Sequence, residues 1–396
     1  MLYGPMDPNE RFRARRDQIR RTKRRRRAAV LALLLAVLIA LAMGAQLIGG
    51  DPQAPGGRPV SAAQTAAPAA VTAPRPRSLP VEIRGIHVTG ALASLPGKFQ
   101  EYVGYKRYGL NTIELDVKDE GGEIALTSST VPLAKRVSAV RPYYRPREVA
   151  RLAHRNGIYL IGRVVVFQDP QLAQGRPDLA IQRSDGSVWT TSAGLGWVNP
   201  YDRRVWDYTV SVAADAARAG FDEIMFDYLR FPSDGDVAGA VYPGKTTVPR
   251  GHLIADFVAY ARKRLEPLGV RVSAAVFGLS ATRDLGIGQV PRFISRHVDT
   301  IVPMSYPALY GGGELGIQSP SSEPGETVFR TLSDFRRQVQ GSRTQIVPWV
   351  QDWDYAPEQV LAQIDAARLQ GAKGYLLWNA EGLYTTSALA PAAGLP

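Results

Sequence analysis

Cysteine is absent from the 396 residues, which excludes disulfide bridges, a thiolate nucleophile and thiolate metal sites. Histidine is scarce: His87, His154, His252 and His297 are the whole set, with no pair at i, i+4, so a histidine-rich metal centre has no basis. Also missing are a G-x-G-x-x-G loop after the first strand, a Walker loop, a G-x-S-x-G elbow and the protein-kinase motifs. No cofactor and no metal are therefore expected, and a carboxylate-bound divalent cation is the one metal arrangement left open.

Acidic residues are outnumbered, 36 against 48 Lys+Arg, for a net charge of +12. The excess is local. Residues 1–27 hold 11 Lys+Arg against Asp7, Glu10 and Asp17, which leaves the remaining chain close to neutral and predicts no nucleic-acid partner. The basic run stops where an apolar one begins. Residues 28–48 contain no charge, and 21 helical residues reach about 31 Å, enough for a hydrocarbon core of about 30 Å. A single transmembrane signal-anchor helix is expected, longer than the apolar region of about 7–15 residues in a cleaved leader. The basic flank keeps residues 1–27 as a cytoplasmic tail and sends the C-terminal domain outside the cytoplasm. Residues 49–80, rich in Ala, Pro and Gly, read as a disordered linker that could span up to about 100 Å if extended.

From residue 81 to 396 the chain repeats one phrase: a helical stretch, a small or polar turn often containing Gly, then a short run of Val, Ile, Leu and aromatics. Eight such strands, beginning at residues 83–88 and ending at 374–378, predict a (β/α)8 TIM barrel; a doubly wound open sheet is the alternative. Asp202 and Gly220 should cap a helix with Val205, Trp206, Thr209, Val212, Ala213 and Ala216 inward, and Asp354 and Gly371 should bound a later one. Helix-to-strand joins are short, whereas the joins after Val117, Val166, Asp227 and Tyr306 run from about 20 to over 30 residues. Elaboration on that face places the site at the C-terminal ends of the strands.

Alternation along the second and fourth strands leaves Glu114, Asp116 and Lys118, and Glu223, Met225 and Asp227, pointing into the barrel. Arg163 on the third strand can neutralise Glu114 or Asp116. Asp227 is the last inward residue of its strand and the leading catalytic carboxylate. Its partner is sought among other strand-end acids, with Asp352 or Asp119 preferred and Glu120, Asp169 and Glu381 available, because glycoside hydrolysis needs two carboxyl groups. Sugar rings present apolar faces that stack on aromatics, which nominates Trp197, Tyr201, Tyr306, Trp353 and Trp378 as a binding surface, together with Asp116, Lys118, Arg163 and Arg230.

The blocks GIHVTG at 85–90, LDVKDE at 115–120, VVVFQD at 164–169, WVNPY at 197–201 with VWDY at 205–208, GFDEIMFDYLRFP at 220–232, PMSYP at 303–307, PWVQD at 348–352 and LLWNA at 376–380 together resemble the bacterial glycoside hydrolase-type TIM-barrel domain family. That resemblance implies a glycosidase-like barrel over about residues 83–385. By analogy with amylase-like barrels it implies that Asp227 is the nucleophile, although Phe277 and Gly278 stand where those enzymes carry a glutamic acid after strand five. The expectation is a membrane-anchored, extracytoplasmic glycoside hydrolase acting on an envelope or exported polysaccharide, with a non-catalytic glycan-binding barrel as the alternative.

Overall fold

The computed structural model describes residues 76–391 apart from Lys245; the expected tail, membrane span and most of the linker lie outside them. No helix among the described residues is long and apolar enough to cross a membrane. The first strand, β1 (Ile83–Val88), is followed by β2 (Thr112–Lys118), β3 (Ile124–Leu126), β4 (Val140–Tyr144), β5 (Tyr159–Val165), β6 (Glu223–Asp227), β7 (Arg271–Phe277), β8 (Thr300–Ser305), β9 (Gln345–Ile346), β10 (Trp349–Gln351) and β11 (Gly374–Trp378).

Parallel pairing runs β1-β11-β10-β8-β7-β6-β5-β2 and closes from β2 back to β1, so the expected (β/α)8 barrel forms. Its seventh stave is split into β9 and β10, with Pro348 between them; proline brings no N–H to the ladder. β3 and β4 extend β2 outside the barrel, β3 antiparallel to it at Lys118 and Ile124.

The helix Arg203–Ala219 forms as its sequence dictates: Asp202 accepts from the Arg204 amide at 2.8 Å, the expected apolar stripe is buried, and Gly220 ends it at φ 107°, where a Cβ would be strained. Trp206 is core, its Nε1 donating to the Pro200 carbonyl at 2.7 Å. The later helix, Pro357–Leu369, starts differently from the expectation. Its N-cap is Ala356, whose amide donates to the Gln359 side chain at 3.1 Å; Asp354 lies two residues ahead of the cap, in a left-handed turn at φ 57°.

Strand register fixes what faces the barrel axis. His87 lies opposite Glu114, Asp116 opposite Arg163, and Val165 opposite Asp227, so these positions share the inner face. Lower in the barrel, Tyr159 donates to Glu223 at 3.0 Å.

Candidate active site

Arg163 organises the inner face. Its Nε and Nη2 donate to one oxygen of Asp227 at 2.9 and 2.7 Å, and its Nη1 donates to Asp116 at 2.7 Å. The Glu120 carboxylate lies 3.6 Å from the same Nη1. Three carboxylates from two strand ends and one loop thus meet on one guanidinium, whose fixed fork suits two of them at once. The other oxygen of Asp227 accepts from the Tyr228 amide at 2.7 Å. Asp227 and Asp116 are almost fully buried, while Glu120 is partly exposed beside them.

Behind Asp116 sits a second layer. The His87 Nδ1 is 2.9 Å from a Glu114 oxygen, its Nε2 is 3.8 Å from Asp116, and Trp349 Nε1 donates to the other Glu114 oxygen at 2.8 Å. The imidazole stacks on Trp378 with ring centres 3.9 Å apart. Burial, opposed by Arg163, pushes the Glu114 carboxyl from its ordinary 4.5 up to about 8 and Asp116 up to about 6; burial also holds His87 down at about 4. His87, Glu114 and Asp116 offer atoms within 4.8 Å of one another, a spacing one cation could bridge. A cation there would have to displace the Glu114–His87 bond and sit against the Arg163 charge, so the chemistry of the group favours hydrogen bonding over ligation.

Aromatics line one side. Trp353, half-buried, meets Tyr306 edge-on at 5.2 Å. Tyr306 lies 6.4 Å from Trp378, and Trp378 lies 4.9 Å from Trp349. Arg163 is 5.4 Å from the Trp378 ring, so this series of rings leads to the acidic cluster.

Several expected site residues do other work. A β-bulge between Asp116 and Lys118 moves Lys118 into register with Val164, the helix-facing side, because one extra residue reverses side-chain phase. Lys118 is fully buried, paired with Asp169 at 2.7 Å and facing the Tyr208 ring, which corrects its assignment to sugar binding. Trp197 is fully buried, against Arg230 at 4.9 Å, and cannot serve as a stacking platform. Arg230 is enclosed by Trp197, Tyr228 and Phe277 and bonds the Phe231 carbonyl and Ser233; it braces the loop after β6. Tyr201 packs on Phe231 and Tyr242 as a strut of the insertion.

Both expected partner acids take their hydrogen bonds from groups other than Arg163. Both Asp352 oxygens are taken by Thr385, at 2.8 Å from its amide and 2.6 Å from its hydroxyl, which pins the segment after β11. Asp119 accepts from the Gly121 and Glu123 amides at 2.9 Å, closing its own turn, and burial with the neighbouring Glu120 pushes it to about 6. The acid that does join Asp227 is Asp116, already placed inward by alternation. His87 carried the same signal, since Ile86 and Val88 on either side of it suit the outer face. The β7 end supplies no carboxylate: a Cβ on Gly278 would run into the Tyr310 hydroxyl and stand 2.8 Å from the Met304 carbonyl oxygen.

The family model described as "Putative glycosyl hydrolase domain" matches residues 85–384. The chain belongs to this family. Among solved structures, the PgaB (BpsB) glycoside hydrolase domain from Bordetella bronchiseptica superposes with a TM-score of 0.54 at 16% identity, covering 76% of this chain and 95% of that one, and confirms the barrel fold. A hypothetical protein from Ruminiclostridium thermocellum ATCC 27405 is 33% identical over 48% of this chain and 96% of its own, with a TM-score of 0.43. The spore cortex-lytic enzyme SleL from Bacillus megaterium QM B1551 is 12% identical, with a TM-score of 0.47, over 78% of this chain and 72% of its own. No curated protein matches the sequence. The family membership and the fold make this a glycoside hydrolase-like barrel.

Glu114 and Glu223, raised by burial to about 8 and about 7 from an ordinary 4.5, hold protons in the folded state that the unfolded chain has released. Their contribution is complete below about pH 4.5 and is lost as pH rises through the folded values. His87, held at about 4, works in the opposite direction but only below its ordinary 6.5. The melting temperature should therefore fall between pH 7 and 8.5 through Glu114. A thermal melt series on the Glu114→Gln variant should show a flatter profile across that interval; an unchanged slope would remove Glu114 as the cause.

Proposed function

We propose that this barrel hydrolyses glycosidic bonds of a polysaccharide, with Asp227 and Asp116 as its two working carboxyl groups. The observation that carries this reading is the convergence of both acids on Arg163 at the C-terminal ends of β2, β5 and β6. Asp227 accepts three hydrogen bonds from Arg163 and the Tyr228 amide, an arrangement suited to a carboxylate anion that attacks the anomeric carbon or activates water. Asp116, raised to about 6 by burial, suits the proton donor to the leaving oxygen. Glu120 at the edge of the cluster contacts substrate hydroxyls, and the half-buried Trp353, at the outer end of the Tyr306–Trp378 series, provides a stacking face for a sugar ring.

The test is reducing-end release by the purified full chain from a panel of envelope and exported polysaccharides, beside the Asp116→Asn variant. Cleavage by the native chain, with a loss of about 10²–10⁴-fold in the variant, is the expected result. Binding of a glycan without any cleavage would replace the hydrolase reading with that of a glycan-binding barrel.

Residues 28–48 support a membrane anchor that leaves the barrel outside the cytoplasm. Expressed in its host, the full chain should partition with membranes and be digested by protease added to intact cells. A chain lacking residues 1–48 should not sediment with the membrane. Protection of the barrel from external protease would reverse the topology.

A further inference from the structure

Asp116 is buried with Arg163 and His87 as its immediate neighbours, so a proton donor at this position needs its own supply. We propose that Glu114, His87 and Asp116 form a one-proton system, in which the imidazole passes a proton stored on Glu114 to Asp116 by exchanging tautomers.

The geometry restricts the positions of that proton. Trp349 Nε1 is a donor only and bonds one Glu114 oxygen at 2.8 Å, so that oxygen is an acceptor and the other is the one facing His87 Nδ1 at 2.9 Å. With the proton on Glu114, Nδ1 accepts it and Nε2 carries hydrogen toward Asp116, 3.8 Å away. With Glu114 ionised, Nδ1 donates, the bare Nε2 faces Asp116, and the proton belongs on that carboxyl. The two arrangements have the same net charge. Moving between them breaks the Glu114 O–H and His87 Nε2–H bonds and forms the Nδ1–H and Asp116 O–H bonds. Stacking against Trp378 fixes the ring plane along this line, and the approach of Nε2 to Asp116 needs only a small side-chain shift or one bridging water.

Other charged groups face the system on several sides. Asp116 sees Arg163 from β5 and Glu120 and Asp119 from the loop after β2, and its carbonyl accepts from Tyr144 of β4 at 2.8 Å. Glu114 sees Arg163 and Asp227 and the phenols of Tyr306 and Tyr384. Arg163 supplies the positive charge that keeps one proton, rather than two, on the pair near neutrality, consistent with Glu114 at about 8, Asp116 at about 6 and a neutral His87. In turnover the proton leaves Asp116 for the leaving-group oxygen, and the attacking water returns one.

This inference takes the destination of the proton from the hydrolase reading, but the tautomer exchange is measurable without substrate. With four histidines in the sequence, the full chain labelled with ¹⁵N-histidine gives few ring signals, and the one missing from His87→Gln identifies His87. In Glu114→Gln the amide can only donate to Nδ1, so His87 should be fixed with hydrogen on Nε2. In Asp116→Asn the amide should donate to Nε2 and fix hydrogen on Nδ1. The native chain should show a neutral ring at pH 7. The same tautomer in both variants, or an imidazolium in the native chain at pH 7, overturns the proposal whether or not any glycan is cleaved. If one variant does not fold, the other with the native spectrum still decides, because each predicts a specific tautomer. With a cleaved glycan in hand, Glu114→Gln should lower kcat by about tenfold or more and leave KM within about twofold.

Discussion

Replacing Arg163 by methionine should cost about 3–5 kcal/mol of stability, the usual consequence of leaving buried charges without their partner. For a barrel of about 310 residues, with an unfolding entropy of about 2.1 cal/mol/K per residue, that is a fall of roughly 5–8 °C in melting temperature. The cost is large because Arg163 bonds Asp116 and Asp227 directly and is 3.6 Å from Glu120, all drawn toward one point by three different segments. Lysine should rescue little of it, since a single ammonium cannot reproduce three N–H bonds in a planar fork. The loss should shrink as pH is lowered from 7 toward 5, because Asp116, raised by burial to about 6, takes up a proton and no longer repels its neighbours. Differential scanning calorimetry of the Arg163→Met and Arg163→Lys variants measures both effects. A melting temperature within about 2 °C of the native value would show that the guanidinium is not the organiser of the cluster.

Changing Asp227 to asparagine should abolish glycan cleavage, with kcat reduced by about 10²–10⁴-fold or more, while stability falls by only about 1–3 kcal/mol. The asparagine keeps the volume and one acceptor for Arg163, but its amide cannot satisfy both Arg163 and the Tyr228 N–H that the carboxylate serves. Asp352→Asn provides the contrast. Its carboxylate is committed to Thr385, so that variant should melt earlier yet turn over substrate at a near-native rate below its melting point. Rates and melting curves for the two variants separate a chemical role from a structural one. More than about a tenth of native turnover in Asp227→Asn would exclude it from the reaction.

Asp227 and Asp352 look equivalent along the chain: each is an acid at the end of a predicted strand. Their difference lies in what comes to meet them, Arg163 in one case and Thr385 in the other, and Thr385 is 33 residues further on. Asp119 is similar, since a turn that consumes its carboxylate through two nearby amides has no distinctive composition. Alternation places Asp116 inward, but spacing alone does not tell whether its ion pair with Arg163 is isolated or shared with Asp227.

The alternation of strands with helices, the capping of the helix Arg203–Ala219 and the inward phase of Glu114, Asp116, Glu223 and Asp227 are legible in the sequence. They rest on periodicities of about 2 and 3.6 residues, which are local properties of a strand and a helix. Long-range packing settles the rest: the sheet closes between β1 and β2 instead of staying open, Lys118 leaves the inner face at a bulge, Trp197 and Arg230 are enclosed, and His87 and Glu114 stand behind Asp116. Those outcomes depend on which distant segments fill the space around a side chain, and burial, charge pairing and proton affinity are set by that space.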